Sequence, residues 1–185
     1  MTRLPAEWET QSSVMIAWPH TTGDFGDRLE TVETTSRLIA KTISEKQKLI
    51  ILCKDSDHQR RIQNQLHCDP SEIHFTHAPY NDMWLRDTAP ISIETDQGIE
   101  LLDFKFNGWG GKYPCEDDNR LSGYLHGQGL FGKTQLHTID MVLGGGSPES
   151  DGQGTLLTTR QCVSNPNRNP LMSKKNIETE LQRTL

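Results

Sequence analysis

The stretch Lys48-Leu49-Ile50-Ile51-Leu52-Cys53 decides the fold. A short aliphatic run with polar residues on either side reads as a buried strand. Around it the apolar period changes. Upstream, Leu29, Val32, Ile39 and Ile43 recur at near-helical spacing within Asp27–Lys46, and Asp27 is placed to cap that helix. Downstream, Asp55 or Ser56 opens a second helix running to about Leu66. Ser12–Ala17, stopped by Trp18-Pro19, and Ile73–His77 read as two further strands.

The pattern continues with Ile91–Ile93 and Gly98–Phe104, a hairpin around Thr95–Gly98. A glycine-rich loop, 106–113, follows. Asp118–Leu130 is expected to be helical, with strands at Thr134–Val142 and Thr155–Thr158. Asn165–Pro170 is turn chemistry, and the tail from Lys174 reads as a polar helix. The order predicts a mixed α/β chain with weak βαβ-like repetition. The last helix meets no closing strand, so the sequence reads as cut from something longer.

Composition narrows the function classes. Hydrophobic residues make up 33%, or about 41% once the 15 glycines are added, below the usual 45–50% or so for a domain closing its own core. Some apolar surface is therefore expected to meet further chain or a partner. A net charge of −6 argues against nucleic acid and would favour a cationic ligand. Cys53, Cys68, Cys115 and Cys162 form no paired motif, which argues against a metal knuckle, a redox dithiol or a disulfide framework. The N-terminus lacks the apolar core of a signal peptide and no run is long enough to span a bilayer, so the expected location is cytoplasmic.

Two formal motifs carry little. Gly127–Thr134 matches the phosphate-loop pattern, but a helix precedes it and a strand follows, the reverse of what phosphate binding requires. His74 and His77 stand three apart on a strand and point to opposite faces.

The chemical centre is Asn81-Asp82-Met83-Trp84-Leu85-Arg86-Asp87-Thr88-Ala89-Pro90. Its carboxylates suit a guanidinium, whose planar fork meets two oxygens at once. Trp84 can offer an aromatic face to a cation, and Arg86 can hold Asp82 or another acid. The alternative is a loop with a core Trp and a surface ion pair. Trp109, between glycines, is either a ligand wall or an indole under a tight turn.

Several blocks stand in a telling order. Leu4–Glu9, Val14–Pro19, Asn81–Pro90, Phe106–Tyr113, Gly145–Ser147, Asp151–Thr159 and Asn165–Pro170 together resemble agmatine deiminases and the related Porphyromonas-type peptidylarginine deiminases, collinearly to about residue 172. The resemblance implies a five-bladed α/β propeller, the pentein fold, of which residues 1–185 would be the N-terminal part of a single domain, roughly the first two to three blades. It implies a hydrolase acting on the C–N bonds of linear amidines, converting agmatine and water to carbamoylputrescine and ammonia in putrescine synthesis, or peptidylarginine to citrulline. A cysteine nucleophile and a histidine acid–base would do the chemistry without metal or organic cofactor.

By that resemblance Asp87 is a guanidinium-binding carboxylate, Trp84 and Asp82 belong to the site wall and its support, and Trp109 contributes to substrate binding. Arg86 and Asn81 are structural support. Two departures stand out. Gly144 replaces the first residue of the family's Glu-Gly-Gly-Ser, and Pro148 is unexpected after it. The family's His-x-Asp and nucleophilic cysteine would lie beyond residue 185, so this stretch alone is expected to be inactive. The expected partner is a small guanidine such as agmatine or an arginine side chain, with neither nucleic acid nor membrane. Self-association through an open propeller edge is also expected. The reading from a different class is a non-catalytic remnant or a module that binds cationic amines.

Overall fold

The structure, a computed structural model, describes residues 2–67 and 70–185; Cys68 lies outside the described residues. The chain divides into two compact units, Thr10–Leu85 and a second made of residues up to Glu9 together with Arg86–Leu185.

In the Thr10–Leu85 unit, β1 (Val14–Ala17), β2 (Leu49–Cys53) and β3 (Ile73–His77) form a parallel sheet in that order. The central strand is bonded on both sides and covered on both faces, so Leu49, Ile51, Leu52 and Cys53 are fully buried. This is why β2 is a continuous apolar run rather than an alternating one. Helices α1 (Leu29–Ser44) and α2 (Ser56–Gln65) connect the strands. Asp55 caps α2, accepting from the His58 N–H at 2.8 Å. Asp27 does not cap α1; it lies in a 3-10 turn, Gly26–Arg28, that enters the helix without a side-chain cap.

The inward stripe of α1 also differs from the apolar pattern. Glu33, Ser36, Ala40 and Ser44 are buried, whereas Leu38 and Ile39 face outward. Small residues let the helix approach closely, and Glu33 turns in because it has partners. Its carboxylate accepts from the buried Trp18 indole at 3.2 Å and pairs with Arg61 at 3.0 Å. A buried charge is tolerated only with such satisfaction.

In the other unit, α3 (Leu85–Thr88), whose first residue belongs to the preceding unit, leads into β4 (Ile91–Thr95) and β5 (Gly98–Lys105), an antiparallel hairpin. Strand β6 (Leu136–Val142) joins β5 in parallel after the helical turn α4 (Gly108–Gly111) and α5 (Leu121–Gly127). The segment resembling a phosphate loop runs from the end of α5 towards β6, a helix-to-strand turn with positive φ at Gly129 and Gly132. A short hairpin, β7 (Glu149–Ser150) with β8 (Leu156–Leu157), is followed by α6 (Arg160–Val163) and α7 (Lys174–Thr184).

The core of this unit joins Ile93, Leu102, Phe104, Ile139, Met141, Leu143, Val163, Ile177 and Leu181. The polar-looking α7 therefore supplies Ile177 and Leu181, one helical turn apart, and Ser173 caps its start. Arg3 ties the N-terminal segment down. It exchanges backbone bonds with Glu94, pairs with Glu9 at 2.6 Å and with Glu94, and donates to the Gly152 carbonyl at 3.0 Å. No helix among the described residues is long and apolar enough to cross a membrane.

Candidate active site

The stretch 81–90 is divided by the boundary of the units, 81–85 belonging to one and 86–90 to the other, and each part has its own supports. In the Thr10–Leu85 unit, Asp82 accepts from the Met83 N–H at 2.8 Å and from the Asp24 N–H at 3.3 Å. Gly23 makes room for it: a Cβ there would lie 3.0 Å from Asp82 Oδ1. Trp84 is 39% exposed, its ring 6.0 Å from that of Phe25. Asn81 stands between the buried Tyr80 and Asp82, with its backbone towards His20.

His20 is a residue the sequence reading missed. It is buried edge-on to Tyr80 at 5.0 Å, and its Nδ1 meets the Thr22 hydroxyl at 2.9 Å. Burial holds its imidazole below the ordinary value and Lys54 adds to this, while Asp82 opposes it. The signal was the polar His20 directly after the buried Trp18-Pro19.

In the other unit, Asp87 stands on a single helical turn rather than in an irregular loop. Its seat is made by glycines far along the chain. The Gly145 N–H donates to the Asp87 backbone carbonyl at 3.3 Å, and the Gly146 N–H donates to Asp87 Oδ1 at 3.1 Å. A Cβ on Gly145 would lie 2.5 Å from the Arg86 carbonyl oxygen, and one on Gly146 would lie 2.6 Å from Asp87 Oδ1. Backbone thus blocks a side chain at position 145, while at 146 a side chain would push the Asp87 carboxylate out of its place. At Gly144, a Cβ would touch Asp87 Oδ1 at 3.0 Å, so whatever occupies position 144 borders the carboxylate. Arg86 pairs with Glu7, an exposed ion pair.

Trp109 belongs to the same unit as Asp87. It is the one non-glycine residue with positive φ among those described, at φ 57° and ψ 38°. A bulky side chain is rare there. The turn is held by Asn107, whose side chain accepts from the Gly110 N–H at 2.9 Å and donates to the Asn167 carbonyl at 2.8 Å. The indole stands edge-on to Phe106 at 4.9 Å and to Tyr113 at 5.7 Å. An open cavity of about 560 Å³, lined by Phe106, Asn107, Tyr113 and Cys115 among others, lies along this loop.

Cys53 and Cys115 are structural in surroundings. Cys53 is fully buried and its thiol is pushed up to about 12; burial also raises Cys115. A thiol so placed is a poor nucleophile, since the thiolate is the reactive form. Among the described residues no three His, Cys, Asp or Glu side chains cluster as a metal site.

Solved structures define the class of fold first. A substrate-bound variant of C. jejuni agmatine deiminase superposes with a TM-score of 0.90 at 31% identity, covering 99% of this chain and 53% of that one. The Enterococcus faecalis agmatine deiminase superposes at 0.86 and 30% identity, covering 100% of this chain and 50% of that one. The chain is thus part of a pentein-type α/β propeller. The model for Porphyromonas-type peptidyl-arginine deiminases matches residues 3–185, and the chain belongs to that family.

Curated relatives agree. The agmatine deiminase of Pseudomonas aeruginosa (strain LESB58) is 30% identical over 186 residues, covering 97% of this chain and 49% of that protein. That of Medicago truncatula is 32% identical over 190 residues, covering 97% and 50%. The chain spans about half the length of the curated relatives it matches.

Proposed function

We propose that residues 1–185 are the N-terminal part of a single agmatine deiminase-like domain, a guanidine hydrolase that converts agmatine and water to carbamoylputrescine and ammonia. The observation that carries the reading is the seat of Asp87. One oxygen, Oδ1, is fixed by the Gly146 N–H, and the residue is only half-buried. A carboxylate held in one orientation is prepared for a planar guanidinium. In this reading Trp84, Asp82 and Trp109 bind or border the substrate, with Arg86 and Asn81 as support.

The buried Cys53 and the surroundings of Cys115 argue that neither attacks a guanidinium carbon. The 185-residue chain alone is therefore expected to bind agmatine without turning it over. Calorimetric titration should show Asp87→Ala weakening agmatine by about tenfold to a hundredfold, the range for a hydrogen bond to a charged group. Ammonia released from agmatine by the purified chain would overturn the assignment of chemistry to residues outside it. Equal affinity in wild type and Asp87→Ala would remove Asp87 from the clamp. A blocked arginine amide in the same titration separates peptidylarginine from the free amine as the preferred ligand.

A further inference from the structure

Ser122, on α5, is 1% exposed, and its Oγ lies 3.3 Å from the Thr88 carbonyl oxygen. Thr88 ends the helical turn that carries Asp87. The same hydroxyl is hydrogen-bonded to the carboxyl group of Asp103, a half-buried residue on β5. For an O–H···O bond, 3.3 Å is long, the usual distance being about 2.7–2.8 Å. A serine hydroxyl has a single proton to give, and here two acceptors face it.

We propose that Ser122 and Asp103 form a positioning pair that sets the seat of Asp87 through the Thr88 carbonyl. The proposal deepens, and rests on, the reading of Asp87 as a guanidinium-binding carboxylate. Ionised Asp103 can only accept, so it draws the Ser122 proton to itself and the Thr88 carbonyl loses that donor. Protonated Asp103 donates its O–H to Ser122 Oγ, and the Ser122 proton turns to the Thr88 carbonyl. No proton is gained or lost by Ser122; only its direction changes.

Burial pushes Asp103 above the ordinary carboxylate value, and its bond to Ser122 opposes this. The exchange is thus displaced upward from the titration of an ordinary aspartate. Other charged groups on the neighbouring elements have their own partners. On β5, Lys105 pairs with Asp140 of β6, and Glu100 faces His137 of β6 at 2.7 Å. On the helix side, Asp118 is buried before α5, and His126 meets the Thr134 carbonyl at 3.0 Å. On α3, Arg86 pairs with Glu7 and Asp87 accepts from Gly146. Burial accounts for the displacement of Asp103, against the opposing pull of Ser122.

The Gly146 amide reads the seat of Asp87 directly, because it donates to Oδ1. Amide spectra of the whole chain, recorded from about pH 3 to 8 across the carboxylate range, should show at Gly146 an inflection that belongs to Asp103. Ser122→Ala and Asp103→Asn should each abolish that inflection while the remaining amide spectrum stays dispersed. Below the Asp103 inflection, agmatine binding should weaken about fivefold in Ser122→Ala, the loss expected for one hydrogen bond, and above it wild type and variant should bind alike. Gly146 profiles in both variants that superimpose on wild type would overturn the proposal. If Asp87→Asn leaves agmatine affinity unchanged while the Asp103 inflection persists in wild type, the guanidine reading fails and the positioning pair stands.

Discussion

Asp82 and Asp87 stand five positions apart in the chain, yet their seats are built in opposite ways. Asp82 is held from nearby and from its own unit, by the Met83 N–H and by a loop at Gly23–Asp24. Asp87 is held by Gly146, 59 residues further along. The units differ in the same manner. Thr10–Leu85 is one unbroken segment with a parallel sheet, whereas the other unit collects the N-terminal residues and everything from Arg86. The difference teaches that two acids in one motif can depend on unrelated parts of the chain, so one can fail without the other.

The sharpest way to break the comparison is to damage one core. Ile51 is fully buried on the central strand β2, in one core with Trp18, Leu49 and Ile62, and Ile51→Ala should cost about 2–5 kcal/mol. Hydrogen exchange should then rise in β1, β2 and β3 and stay unchanged in β4, β5 and β6. Equal loss of protection in both sheets would mean that the units unfold as one.

Acid offers a second, somewhat smaller test. His58 is pushed down to about 4, chiefly by burial, with Arg61 and His20 adding to it and Asp55 opposing; His20 is lowered chiefly by burial and then by Lys54, with Asp82 opposing. Both imidazoles are neutral in folded and unfolded chains above the ordinary value of 6.5, where stability is full. As pH falls from there towards about 4, the unfolded chain takes up protons first and stability drains away, until folded His58 also protonates. The Thr10–Leu85 unit should lose on the order of 2–3 kcal/mol over that range by this linkage. Urea melts followed at β2 amides should show the slope, and His58→Gln should flatten it. A slope carried equally by amides of β5 would assign the effect elsewhere.

The smallest effect sharpens the contrast between the two acids. Gly146→Ala places a Cβ only 2.6 Å from Asp87 Oδ1 and should cost about 1–3 kcal/mol as overpacking. Amide shifts should move at Arg86–Thr88 and hold at Asp82 and Met83. Movement at Asp82 of the same size would show that the seats are coupled.

Much of the first unit was legible in the residues. The aliphatic β2 and the Asp55 cap act over a few positions, and the strand–helix alternation follows from them. The α1 interface was not legible, because its inward face is chosen by Trp18 and Arg61 finding Glu33 rather than by apolar spacing. Nor was the contribution of α7, since Ile177 and Leu181 are two apolar residues in a polar helix and become core only against β4, β5 and β6. In the candidate site, Asp87 and its neighbours stood out as chemistry, while His20, Ser122 and Asp103 did not, being ordinary residues until burial gives them meaning.

By itself, then, the sequence determined the α/β alternation and the family pattern, and it singled out the acid proposed to face a guanidinium. Those are local properties of backbone propensity and of residue type. Only the tertiary structure decided how that acid is held. Gly145 and Gly146 must meet Arg86 and Asp87 across the fold, and the buried Ser122 must choose between two acceptors. Hydrogen bonds and steric exclusion act over a few ångströms of space, and sequence separation does not measure that distance.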